Sequence, residues 1–259
     1  MLMQVEGLTY SYSEKEAVKN VSLYVDKGEF VGLIGPNGSG KSTVLKNIYR
    51  GLIPDSGSIL LEGENLLNMS YRKSAMKMAV VGQENDVPFD FLVEEIVAMG
   101  RSPHKKLFDI DNVRDKKIVR HALEHLGMEA MAQRNYLNLS GGEKQRVIIA
   151  RAVAQESDFF ILDEPTNHLD ISYQMQIFDF IRRLKVTVLS AIHDLNMAAL
   201  YCDRIYVLKA GQIVLHGTPE EVLTPEHIYD VYGVRSSVEK HPITGKMSIT
   251  YLPADLQTA

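Results

Sequence analysis

Apolar and polar positions alternate loosely over Gln4 to Tyr12 and again over Val18 to Val25, a period of two that predicts strands. The turn-forming Asp26-Lys27-Gly28 follows, and then the unbroken apolar run Phe30 to Ile34, which predicts a strand buried on both faces. Beyond GPNGSGKST the residues Lys41 to Arg50 continue as a helix, with Gly51 and Pro54 just past its end. From roughly Phe89 to Gln155 the spacing turns helical, as in VRDKKIVRHALEHLGM and EKQRVIIARAVAQ. Strands resume at Phe159 to Leu162, Thr187 to Ala191 and Arg204 to Leu208, separated by helices that start near Asp170 and Asp194. The tail holds the turn HPITG between the strand-like stretches Ser236 to Lys240 and Lys246 to Leu252. The pattern predicts an α/β core divided by a helical insert. Without repeats, low-complexity tracts or a linker, one domain is expected, with Asp255 to Ala259 loose.

Composition narrows the functional classes. The 259 residues are 45% hydrophobic and 24% charged, the balance of a globular chain with a sizeable core. No apolar run is long enough to cross a bilayer, and MLMQVEGLTY lacks the basic and apolar regions of a secretion signal, so the chain is expected to stay in the cytoplasm. A net charge of −5 argues against a broad grip on nucleic acid. The single cysteine, Cys202, can form neither an internal disulfide nor a cysteine cluster, and it reads as a packing residue.

Chemistry concentrates at a few places. Gly35-Pro36-Asn37-Gly38-Ser39-Gly40-Lys41-Ser42-Thr43 fits G-x-x-x-x-G-K-[ST], placed after an apolar strand and before a helix as that motif requires. Its glycines let backbone N–H groups turn toward phosphates, Lys41 offsets their charge, and Ser42 can ligate Mg²⁺. The expected ligand is a nucleoside triphosphate with magnesium. Phe159-Phe160-Ile161-Leu162-Asp163-Glu164-Pro165 is an apolar strand ending in two carboxylates, costly to place there without a task. Asp163 suits the Mg²⁺ shell, and Glu164 can act on an attacking water. Gln83 and His193 each follow a predicted strand, where ligands bind in open α/β sheets.

Ser140-Gly141-Gly142-Glu143 fits a capping box at the start of a helix. Capping does not ask for two adjacent glycines, which cost about 1 kcal/mol each in a helix interior but open backbone N–H groups to an anion. The pair reads as a second phosphate grip. Since the first loop already wraps one side of the nucleotide, the second would face a nucleotide held by a partner subunit, giving a head-to-tail dimer.

With these residues in view, the chain resembles the nucleotide-binding subunit of ATP-binding cassette (ABC) transporters over essentially its whole length. GPNGSGKST looks like the Walker A loop, VVGQ the Q-loop, LSGGE the family signature, FFILDEP the Walker B strand, NHLD the D-loop and IHD the switch-histidine segment. Glu143 stands where many members have glutamine. The resemblance implies a P-loop NTPase with a RecA-like core at residues 1–83 and 158–235, an antiparallel β subdomain, a helical subdomain at 84–157 and a short extension at 236–259. It implies that Tyr12, or Tyr10, stacks on the adenine of ATP, that Lys41 contacts the β- and γ-phosphates, and that Ser42, Asp163 and Gln83 surround Mg²⁺. Glu164 would activate water and His193 hold the γ-phosphate. Ser140, Gly141 and Gly142 would close the partner's site, and Asp170 would connect the two sites.

LVEEIVAMGRSPH, LFDIDNVRDKKIVRHAL and HPITGKMSITYLP carry a narrower resemblance, to the ATPase subunits of importers of iron chelates (ferric siderophores), haem and vitamin B12. That implies a homodimer on the cytoplasmic face of the membrane, working with integral permease subunits and, indirectly, an extracytoplasmic substrate-binding protein. The alternatives are the ATPase of another ABC transporter, whether metal-ion importer or exporter, and a soluble ABC protein. The signature and Glu164 disfavour a P-loop kinase.

Overall fold

The computed structural model describes residues 1–82, 90–106, 112–166 and 169–253. The expected loose terminus lies outside the described residues.

The chain opens with the hairpin β1 (Met3–Tyr12) and β2 (Lys15–Val25), then β3 (Phe30–Ile34), whose five residues are all buried as the apolar run requires. Helix α1 (Lys41–Ile48) follows the glycine-rich loop, and β4 (Ser56–Leu61) and the short β5 (Glu64–Asn65) come next. Helix α2 (Tyr71–Lys77) is capped by Ser70, whose hydroxyl accepts from Lys73 N–H at 3.2 Å, and runs into β6 (Met78–Val81). Helix α3 (Val93–Ala98) tightens into a 3₁₀ stretch at Met99–His104. Helix α4 (Val113–His125) starts at Asn112, whose side chain accepts from Asp115 N–H at 2.9 Å. Then come α5 (Gly141–Ala154), β7 (Phe159–Asp163), α6 (Ile171–Leu184), β8 (Thr187–Ala191), α7 (Leu195–Tyr201), β9 (Arg204–Lys209) and β10 (Gln212–Gly217). Two Thr-Pro starts open α8 (Pro219–Val222) and α9 (Pro225–Tyr232), and the tail closes as the hairpin β11 (Ser236–Lys240) and β12 (Met247–Tyr251).

The α/β class expected from the pattern is observed, in two compact units. The first comprises Met1–Asn68 and Thr187–Ala259. It holds an antiparallel sheet in the order β2-β1-β4-β5 and a second set of strands in which β3 lies between β8 and β9, parallel to both, with β10 antiparallel to β9. Cys202 is buried with its sulfur under Gly32, where an added Cβ would stand 2.6 Å from it, so the packing role expected of it holds.

The second unit is Met69–Val186. Strands β6 and β7 pair in parallel, Met78 opposite Phe159 through Val81 opposite Leu162. Helices α3, α4 and α5 pack on one another through Val93, Ile96, Val119, Leu123 and Val147, all buried. A buried ion pair lies beside them: Arg101, 3% exposed, donates to the likewise buried Asp115 at 3.0 Å, and also to the Ala154 carbonyl at 2.7 Å and to Glu156 at 2.8 Å. His104 reaches the Gln155 carbonyl at 2.7 Å, and Gln155 in turn donates to the carbonyls of Met78, at 2.8 Å, and Ala75. The C-terminal end of α5 is thus held by side chains from the 3₁₀ stretch and ties back to β6.

Candidate functional site

In the first unit the glycine-rich loop leaves the carboxyl end of β3. Gly35 has φ 150°, and a Cβ there would stand 2.0 Å from the Leu208 carbonyl oxygen, so only glycine lets the loop pass so close to β9. Gly40, at φ 104°, is the last residue before α1 and contributes no side-chain cap, which leaves the first backbone N–H groups of α1 facing the loop. Asn37 and Gly38 form its exposed tip, whereas Lys41 and Thr43 are buried and Ser42 is half-buried. The Lys41 ammonium donates to the carbonyls of Gly35 at 2.8 Å and Pro36 at 3.3 Å, folding back over the loop. Ser39 is 4% exposed, and its hydroxyl makes no hydrogen bond among the described residues. A buried hydroxyl left so is costly unless a ligand completes it, and a phosphate oxygen suits a ring of inward N–H groups and an ammonium.

His193 lies two residues past β8, exposed, at the carboxyl end of the strand next to β3. The Ile192 N–H donates to the Leu33 carbonyl at 3.1 Å, so His193 and the phosphate loop emerge from neighbouring strand ends. Tyr12 ends β1, 48% exposed, with its ring edge-on to Tyr10 at 5.0 Å; both tyrosines remain open to a flat ligand. Sequence reasoning missed one support, the turn between β9 and β10. There the Gly211 N–H donates to the Ser39 carbonyl at 3.0 Å, and a Cβ on Gly211 would stand 2.8 Å from the Ala17 carbonyl oxygen. The turn was legible as Ala210-Gly211, but nothing local says which loop it braces.

In the second unit Asp163 ends β7 and is fully buried. Glu164 follows with φ 51°, a left-handed conformation that a glutamate adopts only under constraint from its surroundings. Gln83 follows β6 but lies outside the described residues, as do Asn167 and His168. Asp170 precedes α6, exposed, and its carboxylate takes no capping bond among the described residues.

The capping box at 140–143 is formed. The Ser140 N–H donates to the Glu143 carboxylate at 2.7 Å, and the Glu143 N–H donates to the Ser140 hydroxyl at 3.4 Å. The Ser140 N–H and hydroxyl both bond Glu143 and hold its carboxyl below the usual range. The two glycines are not needed for any of this. Neither has a positive φ; a Cβ on Gly141 would meet nothing within 4 Å, and one on Gly142 would make only ordinary contacts with Tyr173 and Leu169 at 3.7 and 3.8 Å.

Residues 18–167 match the family described as ABC transporter. The chain belongs to that family. Among curated ABC relatives, the chain is 37% identical over 98% of its length to the cobalamin import ATP-binding protein BtuD of Halobacterium salinarum, and spans 64% of that protein. It is also 37% identical to the iron(3+)-hydroxamate import ATP-binding protein FhuC of Bacillus subtilis, over 96% of this chain and 94% of that one. With the hemin import ATP-binding protein HmuV of Pseudomonas putida it shares 40% identity, over 94% of this chain and 97% of that one. Among solved structures, an inward-facing ABC transporter assigned to the metal-chelate type superposes with a TM-score of 0.85 at 26% identity, over 98% of both chains. The dimeric ATP-binding cassette MJ0796, bound to ADP and Pi, does so with a TM-score of 0.75 at 29% identity, over 84% of this chain and 99% of that one.

Proposed function

We propose that this chain is the ATP-hydrolysing subunit of an ABC importer that takes up an iron chelate (ferric siderophore), haem or vitamin B12 through separate permease subunits. The observation that carries the motor reading is the Gly141-Gly142 pair, which no contact among the described residues requires and whose backbone begins a helix. Such a pair has a use when a second chain brings its own phosphates to it. Two chains then clamp two ATP molecules head to tail, each between the phosphate loop of one and Ser140, Gly141 and Gly142 of the other; the likeness to a dimeric cassette supports this. The import ATP-binding proteins among the relatives support the cargo classes.

Within each site Gly35, Asn37, Gly38, Ser39, Gly40, Lys41, Ser42 and Thr43 hold the phosphates, Tyr12 or Tyr10 the adenine, and His193 the γ-phosphate. Ser42, Asp163 and Gln83, each bearing an oxygen of the kind Mg²⁺ takes, would hold the ion in this reading. When bound, the ion neutralises charge on the β- and γ-phosphate oxygens. Glu164 accepts the proton of the attacking water, a role worth about 10²- to 10⁴-fold in rate. Asp170, its carboxylate uncommitted as a cap, links the sites across the dimer.

Among the described residues no helix is long and apolar enough to cross a membrane, so the membrane partner is a separate chain in this reading. The helical region at 84–157 meets the permease on the cytoplasmic face. A cavity of about 680 Å³ there, walled by Phe91, Ala98, Met99 and Val119 from one side to the other and edged by Glu94 and Arg120, has the size and mixed lining to seat a partner helix. An extracytoplasmic binding protein delivers cargo to the permease. Differential binding of ATP to the closed dimer supplies the conformational shift, and hydrolysis resets it.

The test is to trap the dimer with Glu164→Gln and ATP, extract membranes in mild detergent and identify the co-purifying chains by mass spectrometry. A many-spanning permease at equal stoichiometry is expected. Ribosomes or soluble assembly proteins without a permease would overturn the importer reading and leave the ATPase site standing.

A further inference from the structure

The C-terminal segment is docked on the part of the first unit that carries His193. Asn196, the second residue of α7, forms an amide fork with the backbone of Ile249 in β12: its Oδ1 accepts from the Ile249 N–H at 2.8 Å, and its Nδ2 donates to the Ile249 carbonyl at 3.2 Å. The N–H and C=O of one strand residue point to the same edge, so the fork pairs β12 on the edge opposite β11 much as another strand would. The same Asn196 is held at its backbone, where its N–H donates to the Asp194 carboxylate at 2.7 Å. Asp194 caps α7 and directly follows His193.

One residue therefore joins the helix cap beside His193 to the tail hairpin. Asparagine is a poor helix former, and alanine there would favour α7 intrinsically, so the fork is what the residue contributes. Two tyrosines extend the contact. Burial and the Asp194 carboxylate both push the Tyr251 hydroxyl up. Tyr232, the last residue of α9, is raised strongly by burial and then by the neighbouring Tyr251, with the Gly35 backbone drawing it partly back, and its hydroxyl makes no regular hydrogen bond among the described residues. The hairpin thus lies against the start of α7, while the end of α9 reaches the first glycine of the phosphate loop.

We propose that the C-terminal hairpin braces the start of α7 and with it His193, with Asn196 as the positioning residue through which the brace acts. This rests on the reading of His193 as the γ-phosphate contact. An imidazole that must meet one oxygen is sensitive to small displacements of the backbone that carries it, and displacements of about 1 Å can cost up to 10²-fold in rate. The brace confines that freedom from outside the site.

The test compares Asn196→Ala, Asn196→Asp, His193→Ala and the His193→Ala/Asn196→Ala double variant in ATPase assays on the full chain, with nucleotide affinity read from a fluorescent ATP analogue. For Asn196→Ala, kcat should fall about tenfold while KM and nucleotide affinity stay within about twofold, because the phosphate loop is untouched. Asn196→Asp keeps an acceptor for the Ile249 N–H but sets a carboxylate oxygen against the Ile249 carbonyl, so it should lose at least as much as alanine. In the His193→Ala background the alanine substitution should add no further loss, since a residue acting through His193 has nothing left to position. An equal tenfold loss in both backgrounds, matched losses in kcat and affinity, or wild-type kcat in Asn196→Ala would each overturn the brace. If instead His193→Ala turns over ATP like wild type, the underlying reading of His193 fails, and the brace falls with it.

Discussion

Arg101→Ala should destabilise the second unit far more than the loss of an exposed ion pair would. The Arg101 and Asp115 side chains are 4% and 5% exposed, so removing the guanidinium strands a carboxylate away from water. Breaking such a pair from one side costs about 3–5 kcal/mol. The lower end applies here, because Asp115 keeps a long bond from the Asn112 N–H at 3.4 Å, and Glu156, 42% exposed, can be hydrated once released. A loss of about 3 kcal/mol lowers the thermal midpoint by about 6–12 °C for a chain of this size. Replacing both partners, Arg101→Met with Asp115→Leu, should recover about half of that loss, leaving mainly the unsatisfied Ala154 carbonyl.

Acid provides an independent arm. Burial pushes the Asp115 carboxyl up, but the Arg101 hydrogen bond, the Asn112 N–H and the charges of Arg101 and Lys105 together hold it below its ordinary value of 3.8. A depressed folded-state pKa stabilises above the unfolded value and loses that contribution as pH falls through the folded one. In Arg101→Ala the influence of burial is left largely unopposed and the carboxyl shifts upward, so the deficit relative to wild type should shrink as pH falls toward about 4. Thermal unfolding followed by circular dichroism across pH reads both arms. A midpoint within about 2 °C of wild type at neutral pH would refute the reasoning, as would a deficit that grows in acid.

The remaining predictions concern the dimeric site. Glu164→Gln should bind ATP, accumulate as dimer and lose at least about 10²-fold in turnover; robust hydrolysis would remove Glu164 from its role. Ser140→Arg should abolish hydrolysis while nucleotide binding to the separate chain persists, and normal turnover by that variant would sink the shared site. Gly141→Ala tests the same idea more gently. Its Cβ meets nothing within 4 Å, so the thermal midpoint should hold or rise slightly, whereas ATP-dependent dimerisation, followed by size-exclusion chromatography, should weaken.

What could be read from the residue order is what has a local cause. The run Phe30 to Ile34 announces a buried strand because five residues without a polar side chain fit only there, and the loop after it announces itself by glycines whose need is written in their own φ angles. The start of α7, the bounds of β8 and the tail hairpin to within a residue at each end followed for the same reason. β4 escaped notice, since SGSILL is short and is bent by Gly57, where a Cβ would stand 2.6 Å from the Gly7 carbonyl oxygen. Helices α8 and α9, of 4 and 8 residues, are too brief to show a period, although Thr218-Pro219 and Thr224-Pro225 are legible starts. The long-range devices were beyond local reading. Asn196 and Ile249 stand 53 positions apart, Arg101 and Glu156 stand 55, and no pattern around any of them names the other.

The signature glycines are a third kind of case. They stood out in the sequence because a cap does not need them, and the folded chain sharpens that argument rather than resolving it, since open space surrounds Gly141 and only ordinary contacts await a Cβ on Gly142. A residue choice that costs helix stability and gains nothing among the described residues points to something the chain meets. The Gly35 glycine, by contrast, is fully explained by its own neighbours, with Leu208 2.0 Å from where its Cβ would be. The two loops therefore differ in where their cause lies: the first is shaped by the fold that carries it, and the second, in the function proposed above, by the nucleotide on another subunit.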